Sequence, residues 1–148
     1  MKDDVKKKLQ MLRGKKMSRS ELREHIFRML FRVEFNNGEE MKEQEELYFN
    51  LLDEMTETNR DYILNKYRDI VANLEEIDKM LNELSTGWKT TRMNRVDLTI
   101  LRLATYELKW DEEVPTGVAI NEAVELAKKY SSDSGPSFIN GVLAKVAN

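Results

Sequence analysis

Apolar residues recur along this chain at spacings of three and four, and apolar/polar alternation at every second position is almost missing. Spacings of three and four place apolar side chains on one face of an α-helix, whereas alternation is typical of strands. Glycine and proline are sparse, and apart from Gly141 they fall near likely breaks between the periodic segments. The pattern therefore predicts an all-α protein of about six or seven helices.

The first helix is predicted to begin at Ser18. Ser18 and Glu21 form a capping box, in which each side chain accepts a hydrogen bond from the other residue's backbone N–H. The helix is expected to end at Asn36-Asn37-Gly38. Its predicted buried stripe is Leu22, Ile26, Met29, Leu30 and Val33.

The middle of the chain contains two further predicted helices. A second helix with an acidic start buries Leu47, Tyr48, Leu51, Leu52 and Met55. A third, over about 59–85, is predicted as one long bundle helix because apolar residues alternate at spacings of four and three. That seam consists of Ile63, Tyr67, Ile70, Leu74, Ile77, Leu81 and Leu84. Trp88 is expected to cap the core at the following turn.

The last third of the chain predicts three helices. One runs from about Asn94 to Trp110, with a wide apolar arc that indicates a central position. The next opens at Pro115 and repeats alanine every fourth residue, a row that favours close helix packing. Pro136 is placed in the first turn of the final helix. Gly141 inside that helix predicts another tight contact, because glycine there costs about 1 kcal/mol relative to alanine.

Composition excludes several kinds of chemistry. The 148 residues fit one domain and include no cysteine, which removes disulfides and thiol nucleophiles. The single histidine, His25, falls on the polar side of the first helix and is expected to be exposed. No apolar run reaches the roughly 18 residues of a membrane span, and the N-terminus has no apolar signal core. We expect a cytoplasmic protein without a membrane association.

The sequence contains no complete catalytic motif. The dinucleotide and nucleophile-elbow motifs are absent, and Gly14-Lys15 lacks the rest of a phosphate loop. Asp97 and Glu107 share one helix but lie roughly 15 Å apart along it, too far for a working carboxylate pair. Each is expected to satisfy a backbone end or an arginine in the core. The sequence predicts a non-enzyme with no cofactor and no metal site.

Charge is strongly polarised along the chain. Residues 1–32 carry a net charge of +7 and the remainder −10, within a total of −3. Lys15, Lys16 and Arg19 crowd a helix start, where the helix dipole disfavours cations. Free N–H groups and clustered cations together favour an anion such as an RNA phosphate.

Beyond the helix start, Arg23, Phe27 and Phe31 follow at intervals of four. A guanidinium and two rings on one helix edge could bind single-stranded RNA by stacking. We expect Phe27 to belong to the core, and for Phe31 both interpretations remain open.

Several ordered stretches of this sequence resemble the NusB family of bacterial transcription antitermination factors. The resemblance covers roughly residues 15–148 and is densest in the last third. It is carried by residues 23–24, 30–31, 96–108 (VDLTILRLATYEL), 114–115, 118–128 (VAINEAVELAK) and 138–143 (FINGVL). It implies a single all-helical RNA-binding domain over 15–148, built of two packed sub-bundles of about 15–85 and 86–148, after a flexible basic extension over 1–14.

The resemblance also implies a function. Family members bind the single-stranded boxA element of nascent RNA, pair with NusE, a small-subunit ribosomal protein, and join an RNA polymerase antitermination complex on ribosomal RNA operons. This protein would then be an adaptor without turnover. The residues implied to contact RNA are Lys15, Lys16, Arg19, Arg23, Phe31, Asp133 and Phe138. Asp97 matches an acid at the family's RNA or partner edge, which competes with its core interpretation.

Two alternatives remain. The seam over 63–84 is compatible with a self-associating helical scaffold for protein–protein contacts. A detached NusB-like domain related to RNA methyltransferases is the other alternative, although no glycine-rich methyl-donor site occurs. For the RNA-binding hypothesis, replacing Arg19 and Arg23 with alanine is expected to weaken RNA binding without loss of thermal stability.

Overall fold

The structure is a computed structural model that describes residues 17–33, 38–50, 55–85, 87 and 89–148. These residues form seven α-helices and one 3-10 turn over Thr90–Arg92, and no strand occurs within them. The helices are α1 Arg19–Phe31, α2 Gly38–Asn50, α3 Glu57–Ala72, α4 Leu74–Leu84, α5 Arg95–Lys109, α6 Thr116–Tyr130 and α7 Gly135–Ala147. The predicted all-α fold of six or seven helices is confirmed.

Helix α1 begins as the capping box predicts. Ser18 is the N-cap with extended backbone, and its Oγ accepts from the backbone N–H of Glu21 at 3.1 Å. The helix ends earlier than expected, at Phe31, and the predicted stop at Asn36 and Asn37 lies outside the described residues. The buried side chains on its apolar face are Leu22, Ile26, Phe27, Met29 and Leu30.

The buried residues of helix α2 agree with the prediction in part. Tyr48 and Phe49 are buried, whereas Leu47, which we expected in the core, is 50% exposed. Leu51 and Leu52 lie outside the described residues. The buried face of this helix was hard to predict, because its acidic start leaves few apolar positions that could indicate which side faces inward.

The long helix predicted over 59–85 is wrong: α3 and α4 are separate helices that meet at Asn73. The Asn73 backbone N–H donates to the Ile70 carbonyl at 3.0 Å, and its side-chain amide donates to the Asp69 carbonyl at 2.7 Å. Asparagine side chains compete in this way with the regular helix ladder, so asparagine favours helix ends. The seam residues are nevertheless interior, since Ile63, Tyr67, Ile70, Ile77 and Leu81 are all at most 3% exposed.

The chain divides into two compact units, Met1–Arg68 and Asp69–Asn148. The sequence placed this division near residue 85. In the observed division α4 belongs to the second unit, and the predicted boundary between two sub-bundles stays a prediction. In the first unit, the exposed Arg68 guanidinium meets the Glu45 carboxylate at 3.0 Å.

Helix α5 is central to the second unit, as its wide apolar arc predicts. Its Arg102 donates two hydrogen bonds to the Asp78 carboxylate on α4, at 2.9 and 2.8 Å. The alanine row of α6 is core, since Ala119, Ala123 and Ala127 are at most 2% exposed. Pro136 stands in the first turn of α7, as expected.

Gly141 does not make the tight contact that we predicted. It is exposed on α7, and a Cβ added there would meet nothing within 4 Å. The close approach occurs instead at Gly135, at the start of the same helix. A Cβ at Gly135 would lie 2.0 Å from the Ser131 Oγ. Both glycines look alike in sequence, and only the packing distinguishes them.

Candidate nucleic-acid interface

The start of α1 presents one fully described cation of the predicted basic cluster. Arg19 is the first helical residue and is exposed. Lys15 and Lys16 lie outside the described residues. In the part of the chain that the structure describes, no carboxylate lies within 4.0 Å of the Arg19 guanidinium. Arg19 therefore remains available to an anionic ligand.

The Arg19 side chain is held by an aromatic ring. Its guanidinium carbon lies over the ring of Tyr62, 5.0 Å from the ring centroid. Lys66, one turn further along α3, places its Nζ 5.8 Å from the same centroid. A tyrosine face attracts cations through its quadrupole. Two basic side chains from two helices thus meet at one half-buried ring.

Sequence reasoning missed Tyr62 and Lys66. Tyr62 immediately precedes the seam residue Ile63, so its position reads as the margin of a core face. The spacing of four between Tyr62 and Lys66 was the available signal, because it places a ring and a cation on one helix face. Only the packing of α1 against this face brings Arg19 to the ring.

Arg23 differs from the expected RNA contact. It follows Arg19 by one turn, yet it is only 6% exposed. A guanidinium almost removed from water has little surface to offer to an RNA strand. The sequence could not show this burial, because Arg23 lies at the border between the apolar and polar faces of α1, where a side chain can be buried or exposed.

The two phenylalanines of α1 have different environments. Phe27 is 3% exposed and belongs to the core, as predicted. Phe31 is half-buried, with its ring centroid 6.5 Å from that of Phe27 and the ring planes tilted by 45°. Phe31 therefore contacts the core through Phe27 and is only partly withdrawn from solvent.

Asp97 is tied into the second unit at both carboxylate oxygens. Its Oδ1 accepts from the Ser131 hydroxyl at 2.6 Å, and its Oδ2 accepts from the Asn94 side-chain amide at 2.8 Å. Asn94 also caps α5 by accepting from the Asp97 backbone N–H at 2.9 Å. With 6% of its surface exposed, Asp97 joins the start of α5 to the α6–α7 connection. This geometry agrees with the interpretation that it satisfies polar groups in the core.

The α6–α7 connection carries the other two predicted contacts. Asp133 is exposed in it, and Phe138 is half-buried in the first turns of α7. The path of the connection is constrained, because Gly135 packs against the Ser131 side chain while Ser131 is bonded to Asp97. Asp97 thus shapes the segment that presents Asp133 and Phe138.

His25 is not the exposed histidine that we expected. A hydrogen bond of 2.5 Å joins its Nδ1 to the Tyr48 hydroxyl, and it is half-buried. Burial lowers the pKa of His25 below its usual 6.5, and the positive charge of Arg28 lowers it further. The periodicity of α1 did not reveal this partner, because the partner comes from α2.

The described residues offer neither a cluster of metal ligands nor a membrane-spanning helix. They contain no group of three or more histidine, aspartate and glutamate side chains that could hold a metal ion. Among their helices, none is long and apolar enough to span a membrane.

This fold and these residues define an all-helical protein with a cationic helix start, and comparison with known sequences places it more narrowly. The model of the NusB family matches residues 20–148, so the chain belongs to the NusB family. It is 53% identical over 131 residues to the transcription antitermination protein NusB of Agathobacter rectalis, covering 88% of this chain and all of that protein. The NusB of Lachnoclostridium phytofermentans is also 53% identical, over 130 residues, with 88% and 98% covered.

Solved structures agree with this assignment. T. maritima NusB superposes with a TM-score of 0.79 at 34% identity, covering 90% of this chain and 92% of that one. A chain in the crystal structure of a plectonemic RNA supercoil gives a TM-score of 0.74 at 25% identity, with 86% and 92% covered. The solution structure of NusB from Aquifex aeolicus gives 0.72, also at 25% identity.

Proposed function

We propose that this protein is a non-enzymatic RNA-binding adaptor in transcription antitermination. It binds single-stranded boxA-type RNA from ribosomal RNA operons together with NusE and joins the RNA polymerase antitermination complex in the cytoplasm. The first unit contributes Lys15, Lys16, Arg19 and Phe31 to RNA binding, whereas Arg23 is packed into the protein and is not among the proposed contacts. The second contributes Asp133 and Phe138, with Asp97 behind them as a positioning residue.

The observation that carries this proposal is the environment of Arg19. A phosphate-binding arginine must keep its N–H donors accessible and must not be neutralised by a neighbouring carboxylate. Arg19 is exposed, and within the described ranges its contact is the Tyr62 ring. A guanidinium whose flat face packs on a ring keeps its N–H donors free at the edge of the group, because those donors lie in the guanidinium plane. They can then donate hydrogen bonds to phosphate oxygens.

Two further findings support RNA as the ligand. The first 32 residues carry +7 while the rest carry −10, so the excess of cations lies in the N-terminal part of the sequence. A local positive surface attracts nucleic acid even when the whole molecule is acidic. In addition, one chain similar to this protein comes from a crystal structure of an RNA supercoil, and the curated relatives are named for transcription antitermination.

The proposal is tested by fluorescence anisotropy with a short boxA RNA and a scrambled RNA of equal composition, each with and without NusE. We expect tighter binding of the boxA RNA, increased by NusE, and an affinity that falls between about 50 and 200 mM salt. Equal binding of both RNAs in the presence of NusE would contradict the proposal.

A matched pair of charge variants localises the interface. Arg19→Ala is expected to weaken RNA binding and to reduce the slope of log affinity against log salt by about 0.7, the value for one phosphate contact on a single strand. Lys79→Ala removes one exposed cation from α4 and is expected to leave both quantities unchanged. Equal effects of the two variants would mean that only total charge matters.

Self-association through the 63–84 seam has less support. Five of its seven residues are at most 3% exposed within a single chain, so that surface is already used inside the molecule. A seam buried in this way offers little apolar area to a second copy.

A further inference from the structure

We propose that Tyr62 on α3 is a positioning residue for RNA binding, which holds the Arg19 guanidinium ready for a phosphate. This inference rests on the proposed function and adds to it a residue on a helix that has no part in the basic motif. The sequence places Tyr62 beside a core seam, and nothing in the basic cluster points to it.

The geometry indicates that the Tyr62 ring holds the Arg19 guanidinium in place without burying it. The Arg19 guanidinium carbon lies 5.0 Å from the Tyr62 centroid, within the roughly 6 Å of a cation–π contact. Arg19 is exposed and Tyr62 is half-buried, so the ring is anchored while the arginine remains accessible. Lys66 approaches the same ring at 5.8 Å from α3 itself.

The energetic reason is the cost of ordering a long side chain. A free arginine side chain samples many rotamers, and part of this conformational freedom is lost when the guanidinium binds a phosphate. A ring that already restricts the side chain reduces this loss, and such pre-organisation increases affinity. Tyr62 therefore acts on RNA affinity through Arg19 and adds no phosphate contact of its own.

The variants that test this keep or remove the aromatic face. Tyr62→Leu is expected to lower RNA affinity about two- to fivefold, the factor that corresponds to an exposed cation–π contact. The salt slope should stay at the wild-type value, because the charge on Arg19 is unchanged. Tyr62→Phe retains the ring and is expected to bind within about twofold of wild type. The proposal would be overturned if Tyr62→Leu left the affinity unchanged or reduced the salt slope. It would also be overturned if Tyr62→Phe lost as much affinity as Tyr62→Leu.

A double-mutant cycle separates positioning from a direct or purely structural role. In the Arg19→Ala background, Tyr62→Leu should cause no further loss of affinity, because there is no guanidinium left to position. A full additional loss would overturn the proposal, since the ring would then contact RNA or support the fold independently. Thermal unfolding of each variant identifies any loss of folded protein, and Tyr62→Phe keeps the comparison valid if Tyr62→Leu unfolds.

A measurement without RNA distinguishes failure of this inference from failure of the proposed function. In NMR spectra of the free protein, the Arg19 Nε–H signal should carry a ring-current shift that persists in Tyr62→Phe and disappears in Tyr62→Leu. A signal identical in all three proteins would overturn the positioning role even if RNA binds. A shift that behaves as expected, in a protein with no preference for boxA RNA, would instead overturn the proposed function.

Discussion

Arg19 and Arg23 stand one turn apart on α1, and their surroundings differ more than their spacing suggests. Arg19 is exposed against the Tyr62 ring, whereas Arg23 is 6% exposed. Two adjacent members of one basic motif thus belong to different classes: one is a surface cation and the other is packed into the protein. The sequence motif alone treats them as equivalent.

The two arginines should therefore separate stability from RNA binding. Arg19→Ala is expected to change the free energy of unfolding by no more than about 0.5 kcal/mol, as surface substitutions usually do. Arg23→Ala removes a buried side chain and is expected to cost about 1–3 kcal/mol. Burial thus changes the earlier expectation that both replacements leave stability intact. Urea unfolding measures the difference, and equal losses in both variants would contradict it.

His25 gives the molecule a defined dependence of stability on pH. Its pKa is lowered in the folded protein by burial and by Arg28, so the unfolded chain binds a proton at a higher pH than the folded chain does. The stability that this provides is complete above the unfolded pKa of about 6.5 and is lost as pH falls towards the folded value.

We expect the melting temperature to decrease from pH 7.5 to pH 5.5 and this decrease to be smaller in His25→Gln. The sequence contains one histidine, so the comparison isolates a single imidazole. Differential scanning calorimetry at the two pH values is the measurement. An equal decrease in both proteins would assign the effect to other groups.

At the scale of elements, the α6–α7 connection shows how a helix start is fixed by its neighbours. A Cβ on Gly135 would lie 2.5 Å from the Ser131 Cβ and 2.0 Å from its Oγ, and the Ser131 hydroxyl is bonded to Asp97. Ser131 cannot move aside without breaking that hydrogen bond. The glycine at this position is therefore required by close packing, although its backbone is helical.

Two glycine-to-alanine substitutions in α7 should have effects of opposite sign. Gly135→Ala is expected to destabilise the protein by about 1–3 kcal/mol through overpacking. Gly141→Ala, where a Cβ meets nothing within 4 Å, is expected to stabilise it by about 0.5–1 kcal/mol because alanine favours the helix. Thermal unfolding of the two variants checks both signs. A more stable Gly135→Ala protein would contradict the packing argument.

At the scale of the whole molecule, the residues that the structure describes expose little apolar surface. Among the described residues, the exposed large apolar side chains are Leu47 at 50% and Val118 at 44%, and they belong to different units. Single exposed apolar residues are ordinary on monomers and do not form an interface. The seam that could have paired two copies is buried within one chain.

We therefore predict that the protein alone is a monomer. Light scattering should give a mass near 17.4 kDa, independent of concentration over about a hundredfold range. Ile77→Asp should unfold the protein rather than shift an association equilibrium, because Ile77 is fully buried. A mass that increases with concentration in the wild-type protein would favour the scaffold alternative.

The sequence by itself determined the helical class and most helix starts, because both depend on local chemistry. Spacings of three and four predict helices wherever they occur, and the Ser18 cap is read from a few neighbouring residues. The basic helix start was also visible, since charge is a property of the residues themselves. The break at Asn73 was missed because the apolar period continues through it.

Only the tertiary structure decided which residues of the candidate site are accessible and which are held in place. The burial of Arg23, the ring of Tyr62 over which Arg19 lies, and the bond from Ser131 to Asp97 each join residues distant in sequence. Such contacts depend on how helices pack, and the periodicity of one helix carries no information about the helix beside it. For that reason the sequence could predict a cationic helix start, and the structure was needed to show that Arg19 is accessible while Arg23 is buried.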